Sequence, residues 1–195
     1  MEYFDKSKKS IIEKLQNKDK SRKGDVDEHA IPVINAFNET KNCYTTSSCA
    51  GRITLFREAE TKKKYDSGWL YVKHGEVTKE EIKNALTKIP LDTIWFRQET
   101  SIFHIACRNI EIAKKILNLC QEIGLKHSGI IGINRRIMIE IIFNEKLDSP
   151  ISENNKLLMN EDHLDLLIKK ANEKMRRNNK LLKKLAKKIK ENTEI

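Results

Sequence analysis

Hydroxyls, a thiol and a guanidinium stand together in T-T-S-S-C-A-G-R, Thr45 to Arg52. Serine and threonine hydroxyls both donate and accept, and Arg52 can pair bidentately with a carboxylate or phosphate. Ser47, Ser48 and the backbone beside Gly51 therefore suit an anionic or polar ligand. The same letters also read as a hydroxyl-rich turn that satisfies its own backbone. Cys49 has three readings: nucleophile, metal ligand or small buried apolar residue. Thiolate chemistry needs a nearby cation, and Arg52 is the local one. A second cluster is S-I-F-H-I-A-C-R, Ser101 to Arg108. On a strand, His104 and Arg108 share one face and Cys107 points to the other. With Cys49 these residues could form a metal site or a Cys–His pair, while a hydrogen-bonded core histidine is the plainer reading. S-G-W-L-Y-V-K-H adds Trp69 and His74; an indole stacks on a base or a planar cofactor, or simply packs.

Helices and strands must carry these clusters. A polar, basic lead-in over residues 1–22 includes Ile11, Ile12 and Leu15 on one face of a short docking helix. Lys23-Gly24-Asp25 has turn chemistry. A helix follows from about Val26, although Pro32 belongs in a first turn and moves its start toward Ala30. T-T-S-S-C-A-G-R then reads as a loop into a strand, I-T-L-F-R-E-A, with W-L-Y-V-K-H returning. Thr78 and Glu81 form a capping box before the next helix. T-I-W-F-R-Q and S-I-F-H-I-A-C-R read as two strands or one interrupted strand. An amphipathic helix ending at Gly124 and a hairpin turning near Asn134 and Arg135 come next.

Helix, Ser/Gly loop and β-pair thus occur twice, through Ser48–Gly51 and through Ser128–Gly129, which suggests a structural pseudo-repeat. The expected fold is α+β, a single domain with mixed sheet or sheets and helices, and not a doubly wound Rossmann type. Neither a G-x-G-x-x-G nor a P-loop pattern is present. From about 160 to 195 a long basic helix is expected. Ile168, Ala171, Met175, Leu182, Leu185 and Ile189 form its apolar stripe, interrupted by Asn178. Lys174, Arg176, Arg177, Lys180, Lys183 and Lys184 lie on the other faces.

The 195 residues carry 38 Lys and Arg against 28 Asp and Glu, a net charge of +10. Such a surface favours polyanions, and the one-signed C-terminal helix points to nucleic acid. No run of about 18 apolar residues exists to span a membrane. The N-terminus has no apolar signal core, so a cytoplasmic location is expected, with the four cysteines reduced. Nothing points to a stable protein partner.

K-G-D-V-D, N-A-F-N-E-T-K-N-C-Y-T-T-S-S-C-A-G-R-I, G-W-L-Y-V-K-H, S-I-F-H-I-A-C-R-N-I-E-I-A-K-K-I-L, G-L-K-H-S-G-I and A-N-E-K-M-R-R-N occur in that order. From about Lys23 to Leu185 the chain resembles the tRNA wybutosine-synthesising protein 3 family, in its archaeal type. The resemblance implies an S-adenosylmethionine-dependent methyltransferase acting on N-4 of a 4-demethylwyosine-type tricyclic base at position 37 of tRNA(Phe). It also implies a distinct α+β fold. Ser47, Ser48, Cys49, Gly51 and Arg52 match its first motif, Trp69 and His74 its second, and His104, Cys107 and Arg108 its third. Lys23 and Asp27 match the upstream motif, Ser128 and Gly129 the later loop. Asp25 and Ala50 stand where the family usually has serine.

On that resemblance His104, His74 or Asp27 takes the proton from the nitrogen nucleophile, His104 being preferred because a histidine titrates near working pH. Ser47, Ser48 and the Gly51 backbone would hold the cofactor's amino-acid end, Arg52 or Arg108 its carboxylate, and Trp69 the adenine or the tricyclic base. Cys49 is read as a wall of the cofactor pocket. Lys23, Lys174, Arg176, Arg177, Lys180, Lys183 and Lys184 would meet the tRNA. A non-catalytic tRNA-binding scaffold is the competing class, and a Cys/His metalloprotein a third.

Overall fold

Apolar periodicity and turn residues set out fourteen elements among the described residues. They are α1 (Tyr3–Gln16), α2 (Ile31–Glu39), β1 (Cys43–Cys49), β2 (Arg52–Glu58), β3 (Gly68–Lys73), α3 (Lys79–Ala85), β4 (Thr93–Glu99), β5 (Ile102–Cys107), α4 (Ile110–Glu122), β6 (Gly129–Gly132), β7 (Ile137–Ile142), β8 (Leu147–Glu153), β9 (Lys156–Leu157) and α5 (Glu161–Glu191). The structure is a computed structural model and describes residues 3–16, 27–59, 61, 66–192 and 195. Lys23, the Lys23-Gly24-Asp25 turn and the Val26 start lie outside the described residues.

Local chemistry explains the boundaries. Pro32 sits in the first turn of α2, where its missing N–H costs nothing, and Ala30 is the N-cap. Thr78 and Glu81 close the expected capping box on α3, each side chain meeting the other's backbone N–H. Asn109 caps α4 by accepting from the Ile112 N–H at 3.0 Å. Gly124, at φ +94°, takes the left-handed position that stops that helix. Asn160 accepts from the His163 N–H at 2.9 Å at the start of α5.

Contacts divide the chain into two compact units: Met1–Ala50 with Ser101–Asn144 and Asn179–Ile195, and Gly51–Thr100 with Glu145–Asn178. The first holds a four-stranded sheet of order β1-β5-β7-β6, antiparallel throughout. Phe103 and Ile105 of β5 and Ile139 and Ile141 of β7 are fully buried with Val33 and Phe37 of α2 and Ile116 of α4. Leu182, Leu185 and Ile189 of α5 join that core. Each such side chain contributes about 1.5–3 kcal/mol by leaving water. Phe103→Ala would cost about 3–5 kcal/mol through the cavity it leaves. The lead-in helix α1 docks at Tyr44 of β1, but through Phe4, whose ring centroid is 5.0 Å from that of Tyr44.

The second unit holds a five-stranded sheet of order β3-β2-β4-β8-β9, again antiparallel. Ile53 and Leu55, Ile94 and Phe96, and Ile151 pack with Ile82 of α3 and Ile168, Ala171 and Met175 of α5. The stripe expected on the C-terminal helix is buried as written, and α5 gives residues to both units. Its polar interruption, Asn178, is buried with neither side-chain polar atom hydrogen-bonded among the described residues.

One expectation changes, and one pair of alternatives is decided. Thr45 to Cys49 is not a loop but the second part of strand β1. The hydroxyl-rich letters have turn composition, yet pairing with β5 decides their conformation, as tertiary context commonly does for strands. Ser48 therefore lies in a strand while Ser128 precedes one, so the two halves of the expected repeat differ here. T-I-W-F-R-Q and S-I-F-H-I-A-C-R are two strands, β4 and β5, in different sheets.

Candidate active site

A β-bulge makes the site in the first unit. Along β1 the pairing runs Cys43↔Cys107, Tyr44↔Ala106 and Thr45↔Ile105, then shifts so that Ser47 opposes His104. In regular register Thr46 would stand there and Ser47 would face the core. The extra residue turns Ser47 onto the His104 face, which is what bulges do beside functional sites. Thr46 anchors the kink by donating its hydroxyl to the His104 carbonyl at 3.2 Å.

On that face the hydroxyl of Ser47 lies 2.8 Å from Nδ1 of His104. Nε2 of His104 lies 2.9 Å from Oε2 of Glu140. His104 and Glu140 are register partners on β5 and β7, and Gly129 of β6 is the next partner of Glu140. Four candidate or contacting residues thus form one row across the whole sheet. The row is reachable: the side chains of His104 and Glu140 are 33% and 31% exposed, and Ser47 and Ser48 are exposed. A Cβ at Gly129 would meet nothing within 4 Å, so packing does not demand glycine beside Glu140. Glu140 was missed by sequence reasoning. Its signal was available: it is the one charged residue in the apolar run Ile137–Phe143.

Other candidates of this unit have their own partners. Asp27 receives the Ala50 N–H at 3.2 Å and the His29 N–H at 3.1 Å, so it braces the backbone at the end of β1. Ser128 accepts from the Ile142 N–H at 3.3 Å. Cys107 points away from His104 into the core, so H-x-x-C does not converge on one site. Its cross-strand partner is Cys43; a hydrogen bond from Cys107, with Thr40 and Lys8 nearby, holds the Cys43 thiol low, and the same contact pushes Cys107 up. Arg108 donates to Asp5 at 2.5 Å and lies 4.5 Å over the Phe4 ring. That hydrogen bond holds the Asp5 carboxyl below its usual range. A cleft beside α1 is lined by Asp5, Lys8, Glu39, Thr40, Lys41, Asn42 and Arg108, and Lys8 donates to the Thr40 carbonyl there. Cys49 is half-buried.

In the second unit, Arg52 of β2 and Trp69 of β3 stand with Gly51 and His74, which flank those strands. Gly51 adopts φ +92° and its carbonyl meets Nδ1 of His74 at 3.2 Å. Arg52 pairs with Glu99 at 2.5 Å and lies 4.4 Å over the Trp69 ring, which is 54% exposed. As anchors for a ligand carboxylate, Arg52 and Arg108 would share with carboxylates of the chain itself. Lys174 and Arg177 both pair with Glu145 at 2.8 Å, and Arg176 pairs with Glu76. Burial pushes the Glu145 carboxyl up, but those two cations outweigh it and hold it low. Lys180, Lys183 and Lys184, in the first unit, are exposed, with no acidic partner recorded among the described residues. Among the described residues no helix is long and apolar enough to cross a membrane.

Residues 6–191 match the family model described as Methyltransferase TYW3. The tRNA(Phe) 7-((3-amino-3-carboxypropyl)-4-demethylwyosine(37)-N(4))-methyltransferase 1 of Pyrococcus horikoshii is 34% identical over 189 residues, covering 96% of this chain and 95% of that protein. A methyltransferase described in the same terms from Methanocaldococcus jannaschii is 38% identical over 172 residues, 87% of this chain and 89% of its own. A solved structure of a Pyrococcus horikoshii protein superposes with a TM-score of 0.87 at 34% identity, covering 95% of each chain.

Proposed function

The chain belongs to the Methyltransferase TYW3 family, and from that premise we propose that it methylates N4 of a 4-demethylwyosine-type base at position 37 of tRNA(Phe). We take its methyl donor to be S-adenosylmethionine, and its substrate to carry the 7-(3-amino-3-carboxypropyl) arm named for its relatives. The observation that carries the reading is the partly exposed row Ser47–His104–Glu140, whose first two members lie in the T-T-S-S-C-A-G-R and H-I-A-C-R motifs.

Bound, S-adenosylmethionine supplies a methyl group on a sulfonium, open to in-line displacement by the base nitrogen. The chain must orient both partners and remove one proton. Ser47 and Ser48 offer hydroxyl oxygens on the exposed face, which fit the ammonium of an α-amino-acid moiety. Trp69 offers the exposed ring for a planar group, with Arg52 already stacked on it. The proton leaving the base ends on His104, whose position on a strand keeps it aimed. Cys49 is a pocket wall, and the exposed lysines of α5 meet the phosphate backbone.

The test is a single-turnover reaction with labelled S-adenosylmethionine and tRNA(Phe) carrying the unmethylated tricyclic base, read by mass spectrometry of the nucleoside. Gain of one methyl on that base is the expected result. Tight tRNA binding with no transfer would instead make the protein a scaffold of the same pathway.

A further inference from the structure

We infer that Glu140 is the positioning residue of the site: it fixes the proton of neutral His104 on Nε2, which makes the Ser47 oxygen the atom that accepts the substrate's proton. The inference rests on the proposed methyl transfer for its proton route, but not for the tautomer itself.

An ionised carboxylate is acceptor only, so a hydrogen bond between Oε2 of Glu140 and Nε2 of His104 at 2.9 Å requires the hydrogen on Nε2. In the neutral ring Nδ1 is then a lone pair. Facing the Ser47 hydroxyl at 2.8 Å, it must accept the serine O–H. The row therefore has one polarity: Ser47 donates to His104 and His104 donates to Glu140. With its hydrogen committed inward, the exposed Ser47 oxygen presents only lone pairs outward. His104 itself has no ring nitrogen left for the substrate, so a direct role as base is closed by its own hydrogen bonds.

The proton route follows from that polarity. The substrate N–H bond breaks as an O–H bond forms on Ser47, and the original Ser47 O–H breaks as an N–H forms at Nδ1. The row gains one proton, held on an imidazolium that faces the Glu140 carboxylate. Among the described residues His104 is the one recorded partner of that carboxylate. Register supports the reading. His104 and Glu140 are cross-strand partners, and the bulge at Thr46 brings Ser47 into line with them. An outer partner of this kind, when removed, typically costs 10- to 100-fold in a histidine's function.

The decisive measurement is long-range 15N–1H correlation on the His104 ring in the ligand-free protein, at a pH where the ring is neutral. A protonated Nε2 and a bare Nδ1 are expected. A hydrogen on Nδ1 would overturn the inference, with no variant needed. In Glu140→Leu the Nε2 preference should be lost, single-turnover methylation should slow by about 10- to 100-fold, and KM for tRNA should move by less than about 3-fold, since Glu140 acts through His104. A folded Glu140→Leu protein with wild-type rate would also overturn it. Should the wild-type protein show the Nε2 tautomer yet transfer no methyl group, the positioning by Glu140 stands and the proposed reaction falls.

Discussion

Side chains in this protein are placed by what faces them across a strand, and two substitutions examine that directly. His104→Ala removes the group that ends up holding the proton, so methyl transfer should fall by about 10²- to 10⁴-fold with tRNA affinity unchanged. Full turnover in that variant would hand the proton to His74 or Asp27, the other titratable candidates. Cys49 is half-buried at the end of β1. If it is a wall, Cys49→Ala should keep transfer within about 10-fold of wild type. Complete loss, together with a covalent methyl adduct on the native thiol, would make it a nucleophile. Cys107 carries the opposite lesson. Its motif places it beside His104 and Arg108 in the text, but strand alternation sends it to the core against Cys43.

At the scale of elements, the bulge in β1 is the device that converts a hydroxyl-rich strand into a site. Deleting Thr46 removes the extra residue and leaves Ser47 opposite His104 in regular register. Methylation should then stay within about 10-fold of wild type, with native far-ultraviolet circular dichroism. A loss as deep as that of His104→Ala in a folded deletion variant would show that the kink itself, and not the pairing alone, aims Ser47. Helix α3 offers a pH test. The Glu81 carboxyl is held below its ordinary value by hydrogen bonds from Lys73 and from the Thr78 backbone. A depressed folded pKa means that Glu81 contributes stability above the unfolded value, about 4.5. That contribution disappears as pH falls through the lower folded value. Thermal unfolding from pH 6 down to pH 3 should therefore show a smaller loss in Glu81→Gln than in wild type. An identical pH slope in both would rule the contact out as a stabiliser.

Over the whole molecule, the excess of positive charge is not spread as the sequence alone suggests. Lys174, Arg176 and Arg177 spend their charge on Glu145 and Glu76, whereas Lys180, Lys183 and Lys184 face solvent. Helix α5 cannot simply be cut off to test this, because Met175, Leu182 and Leu185 are buried on its other side. Charge neutralisation is the cleaner probe. Replacing Lys180, Lys183 and Lys184 with glutamine should weaken tRNA binding and reduce the salt slope of log K by roughly 2 to 3. An unaltered slope would place the phosphate contacts elsewhere.

Much of the fold was written in local letters. The capping box at Thr78, the Asn134–Arg135 hairpin, the Gly124 stop and the apolar stripe of α5 each follow from neighbours within a few residues, so the sequence by itself determined them. It also placed His104, Ser47 and Arg52 in motifs whose family could be named. Tertiary structure alone decided that Thr45 to Cys49 is a strand, that a one-residue bulge sets Ser47 on His104, and that Glu140 completes the row. The physical reason is common to all three. Strand pairing and register are contacts between segments far apart in the chain, and a shift of one residue exchanges the two faces of a sheet without changing a letter.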